Sequence, residues 1–394
     1  MLQRAGRAAD GEMVRPSHPR FACRPFTITG IPMVGRALRF TLWTASVLAV
    51  AGYARLAWCA LRAGGPPSPL EAAVLEHAVR MASAQPIFRD PGGGSPVALM
   101  PLFSFVVSGL VRMFDPHPWE PRLVTVLAAL AAAAIVAVVV QRETRHATLG
   151  VASGALLLVG QGFAAGMANG PESLSLLLVL AGCLALRYAS GIAGGMLAAF
   201  PMAAACFTHP AGLWFAIAAL FHLAEHDRRR LAAFAASLAL LVGFVHAGLS
   251  VQLGPWFNFY AWDISLRALQ LDPIALVGYL GRQLLGIWGV LALATVLSCA
   301  MPVRPWRGAV GIWTWMGLAA LGAGIASTQS ATGAADALRP AVVALAIVGP
   351  ISVQRVTQHL ATWPGSSQVV GQAVVMAALA LQFLALLAHL PRVL

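Results

Sequence analysis

Apolar residues come in long blocks rather than in alternation. Nearly uncharged runs occupy 37–61, 97–114, 122–141, 147–168, 172–187, 191–208, 210–225, 231–252, 274–298, 309–327, 340–353 and 369–388. About twenty apolar residues in a helix cross the hydrocarbon of a bilayer. Blocks of this kind along the whole chain predict an all-α polytopic membrane protein. The pattern fails in two places. Residues 1–35 lack periodicity and carry Arg4, Arg7, Arg15, Arg20 and Arg24 among prolines and glycines, which predicts a disordered tail before a single transmembrane domain over 36–394. After the first block, PSPLEAAVLEHAVRMASAQPIFRDP (67–91) has helical spacing but is only half apolar.

Composition agrees with the pattern. The 394 residues are 59% hydrophobic and only 10% charged. A soluble domain is about one quarter charged, so no separate soluble unit is expected. The net charge is +12, and all 26 basic residues are arginine. They sit in short loops between apolar blocks, so the charge reads as topology rather than as a nucleic-acid surface. If every block crosses and the N-terminus is cytoplasmic, QRETRH (141–146), HDRRR (226–230) and VRPWR (303–307) fall outside, against the positive-inside rule. If 97–114 instead lies along the surface, all three return to the cytoplasmic side. That block contains Pro101 and Arg112 and runs into DPHPWEP (115–121). The arginines therefore predict about 11 transmembrane helices and a large first external loop (62–121) carrying two interfacial helices. Polar and aromatic residues then gather externally, in NGPE (169–172), THP (208–210), LGPWFNFYAWDISLRALQLD (253–272) and STQSATGAADALRP (327–340).

Five cysteines are scattered without a CxxC, which indicates neither a disulfide framework nor a zinc site. No motif names a metal or another cofactor. The candidate chemistry lies in the external segments. Glu71 ends SPLE (68–71), a capping box with Pro69 at the first helical position, so it is a cap, a base, or both. Glu76 lies about 140° round the helix from Glu71 and pairs more naturally with Arg80 one turn on. Glu172 opens a helix after Gly170 and Pro171, where the dipole favours an acid. Arg89 and Asp90 follow the first polar helix, and a solvated local pair is their simplest role. Arg267 and Arg339 stand at helix starts, where each can grip a phosphate or snorkel to headgroups. Trp256, Phe257, Phe259, Tyr260 and Trp262 form an interfacial aromatic belt or a sugar-binding platform. His209, beside Pro210, reads first as structural.

LEAAVLEHAVRMASAQPIFRDP (70–91), VALMPLF (97–103), WEPRLVTVLAAL (119–130), NGPESLSLLLVL (169–180), GPWFNFYAWD (254–263) and GAADALRPA (333–341), taken in order and spacing, resemble the GT-C superfamily of membrane glycosyltransferases. That superfamily includes protein O-mannosyltransferases and lipid A aminoarabinose transferases. The resemblance covers most of the chain, through motifs that are individually loose. It implies sugar transfer at the external face from a polyprenyl-phosphate donor drawn from the bilayer; it names neither sugar nor acceptor. It implies Glu71 as general base, Glu172 as a second acid, and Arg89, Arg267 and Arg339 as holders of the donor phosphate. Asp90, His209, Trp256 and Tyr260 would line the substrate loops. The chain departs from the pattern at Leu70-Glu71, where relatives carry Asp or Asp-Glu, and at ALMPLF (98–103), which lacks their tyrosines. It also has no lysine. Those departures keep a second reading open: a catalytically degenerate scaffold, or a translocase of lipid-linked sugars. A transporter places polar groups at mid-membrane. Here the acids avoid block interiors, which favours surface chemistry.

Overall fold

The computed structural model describes residues 32–63, 67–90, 99–165, 170–264, 273–278, 281, 286–300, 311–328, 338–360 and 377–382. Among them there are helices and no strand. In chain order they are α1 (Pro32–Arg62), α2 (Pro69–Ala82), α3 (Pro101–Val111), α4 (Trp119–Thr144), α5 (Ala147–Ala165), α6 (Glu172–Tyr188), α7 (Gly191–Thr208), α8 (Gly212–His226) and α9 (Arg228–Leu253). A π-helical segment, Phe259–Asp263, follows. The rest are α10 (Pro273–Gly278), α11 (Gly286–Ala300), α12 (Gly311–Thr328) and α13 (Leu338–Leu360). Segments of α1, α4, α7, α9 and α13 are long and apolar enough to cross a membrane.

Two of the helices are not built to cross. α2 is amphipathic and has 14 residues, and α3 has 11. At 1.5 Å per residue, α3 spans roughly 16 Å, about half of the ~30 Å hydrocarbon thickness. They pack on each other through Val74, Ala78, Phe103 and Val107, and Arg112 Nη2 donates to Met81 O at 3.2 Å. The ends of this hairpin are tied to one end of the bundle. Arg122, near the start of α4, donates through Nη1 to Ala60 O (2.7 Å) and Ala63 O (2.9 Å), where α1 finishes. The chain therefore leaves α1 and starts α4 at the same end, and α3 does not cross between them.

The opposite end holds QRETRH and HDRRR together. Arg187 forms a forked pair with Glu143 (2.8 and 3.3 Å), and Arg230 Nη2 donates to Ala185 O and Leu186 O, the last carbonyls of α6. Gln354 of α13 donates to Thr144 O at 3.0 Å. VRPWR (303–307) and most of 369–388 lie outside the described residues.

Helices approach closely where glycine permits it. Gly150 and Gly154, four apart on α5, face α4; a Cβ on Gly154 would meet Ala133 O at 2.8 Å, and one on Gly150 would meet Ala137 O at 2.5 Å. This small-xxx-small stripe brings two backbones together without side chains between them.

Candidate functional site

Two buried ion pairs lie at the end that carries α2 and α3. The first grows from the capping box. Ser68 Oγ accepts from Glu71 N (3.2 Å), and Glu71 Oε2 accepts from Ser68 N (2.9 Å). The carboxylate also receives Arg122: Nε donates to Oε1 at 2.8 Å and Nη2 to Oε2 at 3.3 Å. Glu71 is 3% exposed and Arg122 7%. Arg122 thus fastens the start of α2 to the end of α1, using its whole fork. Both oxygens of Glu71 accept hydrogen bonds from the protein.

The second pair is assembled from helix ends far apart in sequence. Arg339, in the first turn of α13, donates through Nη1 to Glu172 Oε2 at 3.1 Å, in the first turn of α6. His209, which ends α7, brings Nε2 to 3.6 Å from Glu172 Oε1. Its Nδ1 accepts the Ala211 amide at 3.2 Å, so in the neutral ring the proton sits on Nε2 and faces Glu172. Burial lowers the His209 pKa below its ordinary value; Glu172 opposes that shift and Arg339 adds to it. The carboxylate of Glu172 is thus flanked by one cation and one neutral donor. A Cβ at Gly170 would fall on that carboxylate.

The pairs are connected. Thr125, one turn beyond Arg122, has its hydroxyl 3.0 Å from Pro121 O and 3.4 Å from Gly170 O, beside Glu172. Under Glu172 and Arg339 the packing loosens into an apolar cavity of about 20 Å³ lined by Leu176, Leu180, Phe215, Trp313 and Val343. That is room for about one water, not for an isoprenoid chain.

A layer of aromatic residues packs on the loop that leaves α2. Phe88, in the loop after α2, stacks on Tyr260 (5.1 Å between centroids) and meets His77 edge-on (5.3 Å). Phe257 beneath it is fully buried. It is therefore core, not a member of an interfacial belt. Trp256 is half-buried and lies edge-on to Phe259 at 6.0 Å. Arg80 pairs with Glu76 as the helical spacing predicts and also donates to Ile87 O at 3.2 Å. π-helical turns such as Phe259–Asp263 often accompany functional sites.

Of the residues singled out from sequence, Glu172, Arg339 and His209 come together. Glu71 lies in the neighbouring pair, and Tyr260 and Trp256 belong to the aromatic layer. Arg89 and Asp90 are exposed in the loop leaving α2. Arg267 lies outside the described residues. Sequence reasoning recognised Arg122 only as part of a motif and passed over Gln161. Both carried a signal, a strongly polar side chain at or within an apolar block.

No family model and no curated protein matches the chain. Three chains of solved structures do. One is ArnT from Cupriavidus metallidurans bound to undecaprenyl phosphate, with a TM-score of 0.57 and 16% identity over 87% of this chain and 76% of that one. The chain has the ArnT fold. The apo crystal structure of the same protein gives a TM-score of 0.56 over the same coverage. The ArnT fold is a GT-C-like fold. At this identity the likeness concerns the path of the helices.

Proposed function

We propose that this chain is a glycosyltransferase that moves a sugar from a polyprenyl-phosphate donor to an acceptor on the external face of a bacterial inner membrane. The observation that carries the reading is the convergence of Glu172, Arg339 and His209 at the end that holds the α2–α3 hairpin. Support comes from the fold shared with ArnT, which was crystallised with undecaprenyl phosphate. The arginine-rich loops at the opposite end support a cytoplasmic orientation for that end.

In this reading the polyprenyl chain stays in the surrounding lipid, and only the headgroup reaches the site. Arg339 holds the donor phosphate. Its fork of five donors serves one carboxylate and one phosphate oxygen together. Glu172 takes the proton of the acceptor as the phosphate leaves. His209, with Nε2–H toward Glu172, orients that carboxylate. Glu71 has the anchoring role: it fixes α2 through Arg122. In the same reading Arg89 and Arg267 assist at the donor phosphate, and Asp90, Tyr260 and Trp256 contact the headgroup and sugar.

One observation favours a second reading. Leu70 precedes Glu71, and the Glu71 carboxylate is consumed by Arg122 and the cap. That arrangement suits a protein that binds lipid-linked sugars without transferring them. One experiment separates the two. Purified protein is given polyprenyl-phosphate sugars and candidate acceptors, and the wild type is compared with Glu172→Gln and Glu71→Gln. Transfer that is lost in Glu172→Gln and kept in part in Glu71→Gln supports the enzyme. Binding without transfer supports the scaffold, and absence of both overturns the proposal.

A further inference from the structure

Gln161 is a strongly polar residue within an otherwise apolar stretch of α5, and it is 6% exposed. Its Oε1 lies 3.5 Å from Ser173 Oγ, and its Nε2 is buried with no hydrogen-bond partner among the described residues. An amide donor taken out of water without a partner is destabilising, and in a membrane bundle such polar groups are rare outside functional positions. The site of this unmet donor is defined from two directions. Ser173 is the residue after Glu172 on α6. Gly160, the residue before Gln161, packs against the second turn of α13: a Cβ there would lie 2.5 Å from Val342, three residues beyond Arg339. The amide therefore lies beside the residue that follows Glu172, on a helix that packs against α13 one turn beyond Arg339.

We infer that Gln161 is a binding residue whose side-chain amide donates to an oxygen of the lipid phosphate held by Arg339. The inference rests on the glycosyltransferase reading and goes beyond it by naming a neutral donor for the same anion. The chemistry is complementary. Arg339 supplies charge, and a neutral amide adds direction without adding a second cation beside it. An oxyanion accepts several donors at once, and a hydrogen bond to a charged acceptor is stronger than one between neutral groups. Ser173 holds the carbonyl side of the amide, which leaves the NH₂ side for the ligand. If the amide is turned over, Ser173 Oγ accepts from Nε2 and the carbonyl is the end without a partner. That end would repel a phosphate, so the inference requires the orientation described.

The test uses the full chain in detergent and three probes: undecaprenyl phosphate, undecaprenol and inorganic phosphate. Wild type, Gln161→Met, Gln161→Glu and Arg339→Ala are compared by Kd and by thermal midpoint without ligand. Expected is wild-type binding of undecaprenyl phosphate in preference to the other two probes. Gln161→Met should weaken it about tenfold, the loss of one hydrogen bond. Its midpoint without ligand should equal or exceed that of the wild type, because an unmet buried donor has been removed. Gln161→Glu, with the same shape but a carboxylate facing the anion, should weaken binding at least as much. If Gln161→Met lowers the midpoint without ligand or fails to fold, the amide is structural and the inference is wrong. If it binds with wild-type Kd while Arg339→Ala loses binding, the inference fails and the glycosyltransferase reading stands. If wild type binds inorganic phosphate as well as the lipid, the ligand assigned here is wrong. If wild type binds none of the probes, both readings fall.

Discussion

Arg122 and Glu71 are 51 residues apart and form a forked ion pair, with Nε–Oε1 at 2.8 Å, in a site almost closed to solvent. The same guanidinium donates to Ala60 O in the last turn of α1 and to Ala63 O just after it. One side chain thus joins three helices where the chain turns back on itself. Removing either partner leaves a buried charge alone, which typically costs about 3–5 kcal/mol. Arg122→Ala should therefore lower stability by that order in a denaturant titration in micelles. Arg122→Lys should recover only part, because an ammonium lacks the fork. Glu71→Gln should cost less than Glu71→Ala, since the amide oxygen can still accept from the Ser68 amide. Equal losses for Gln and Ala would count against the cap as a contributor.

The Glu172–Arg339 pair makes a different prediction, because it is read as chemistry. Glu172→Gln should reduce transfer about 10²-fold or more while Kd for the lipid phosphate stays within a few-fold. Arg339→Ala should raise that Kd. The check is turnover measured beside equilibrium binding. A Glu172→Gln variant with wild-type turnover would remove the base from the scheme.

His77 predicts a pH dependence. It lies on α2, outside the membrane-crossing helices. Burial, helped by Arg80, lowers its pKa to about 4 from the ordinary 6.5. The unfolded chain then binds the proton more readily than the folded one. This group therefore lowers stability as pH falls from about 6.5 to about 4, and adds no further change below that. His77→Phe keeps the edge-on contact with Phe88 and removes the titration. Its thermal midpoint should fall less between pH 7 and pH 4 than that of the wild type. Parallel curves would show that His77 does not contribute.

Gly150 and Gly154 make the fourth prediction. A side chain at either meets backbone oxygen of α4, which cannot rotate away. Gly154→Val should destabilise by about 1–3 kcal/mol, as overpacking generally does. Gly52, with open space around it, should accept alanine without loss. Thermal midpoints of the two variants check the contrast.

Much of the architecture was legible in the chain. Apolar block length predicts helices, because a lipid-embedded backbone must satisfy its own hydrogen bonds. SPLE predicts the capping box, since its partners are three residues apart, and the arginine loops predict that 97–114 does not cross. Glu172, Arg339 and His209 were each visible as polar residues near helix ends. Their meeting was not visible: 167 residues separate Glu172 from Arg339. Nor could helical geometry show that Arg122, 51 residues away, would donate to both oxygens of Glu71. Local pattern determined which segments are helical and which side chains stand at their ends, because those effects act within one turn. Only the packing of α1, α2 and α4, and of α6, α7 and α13, decided which ends share a buried space, because ion pairing in that space acts between residues the sequence keeps far apart.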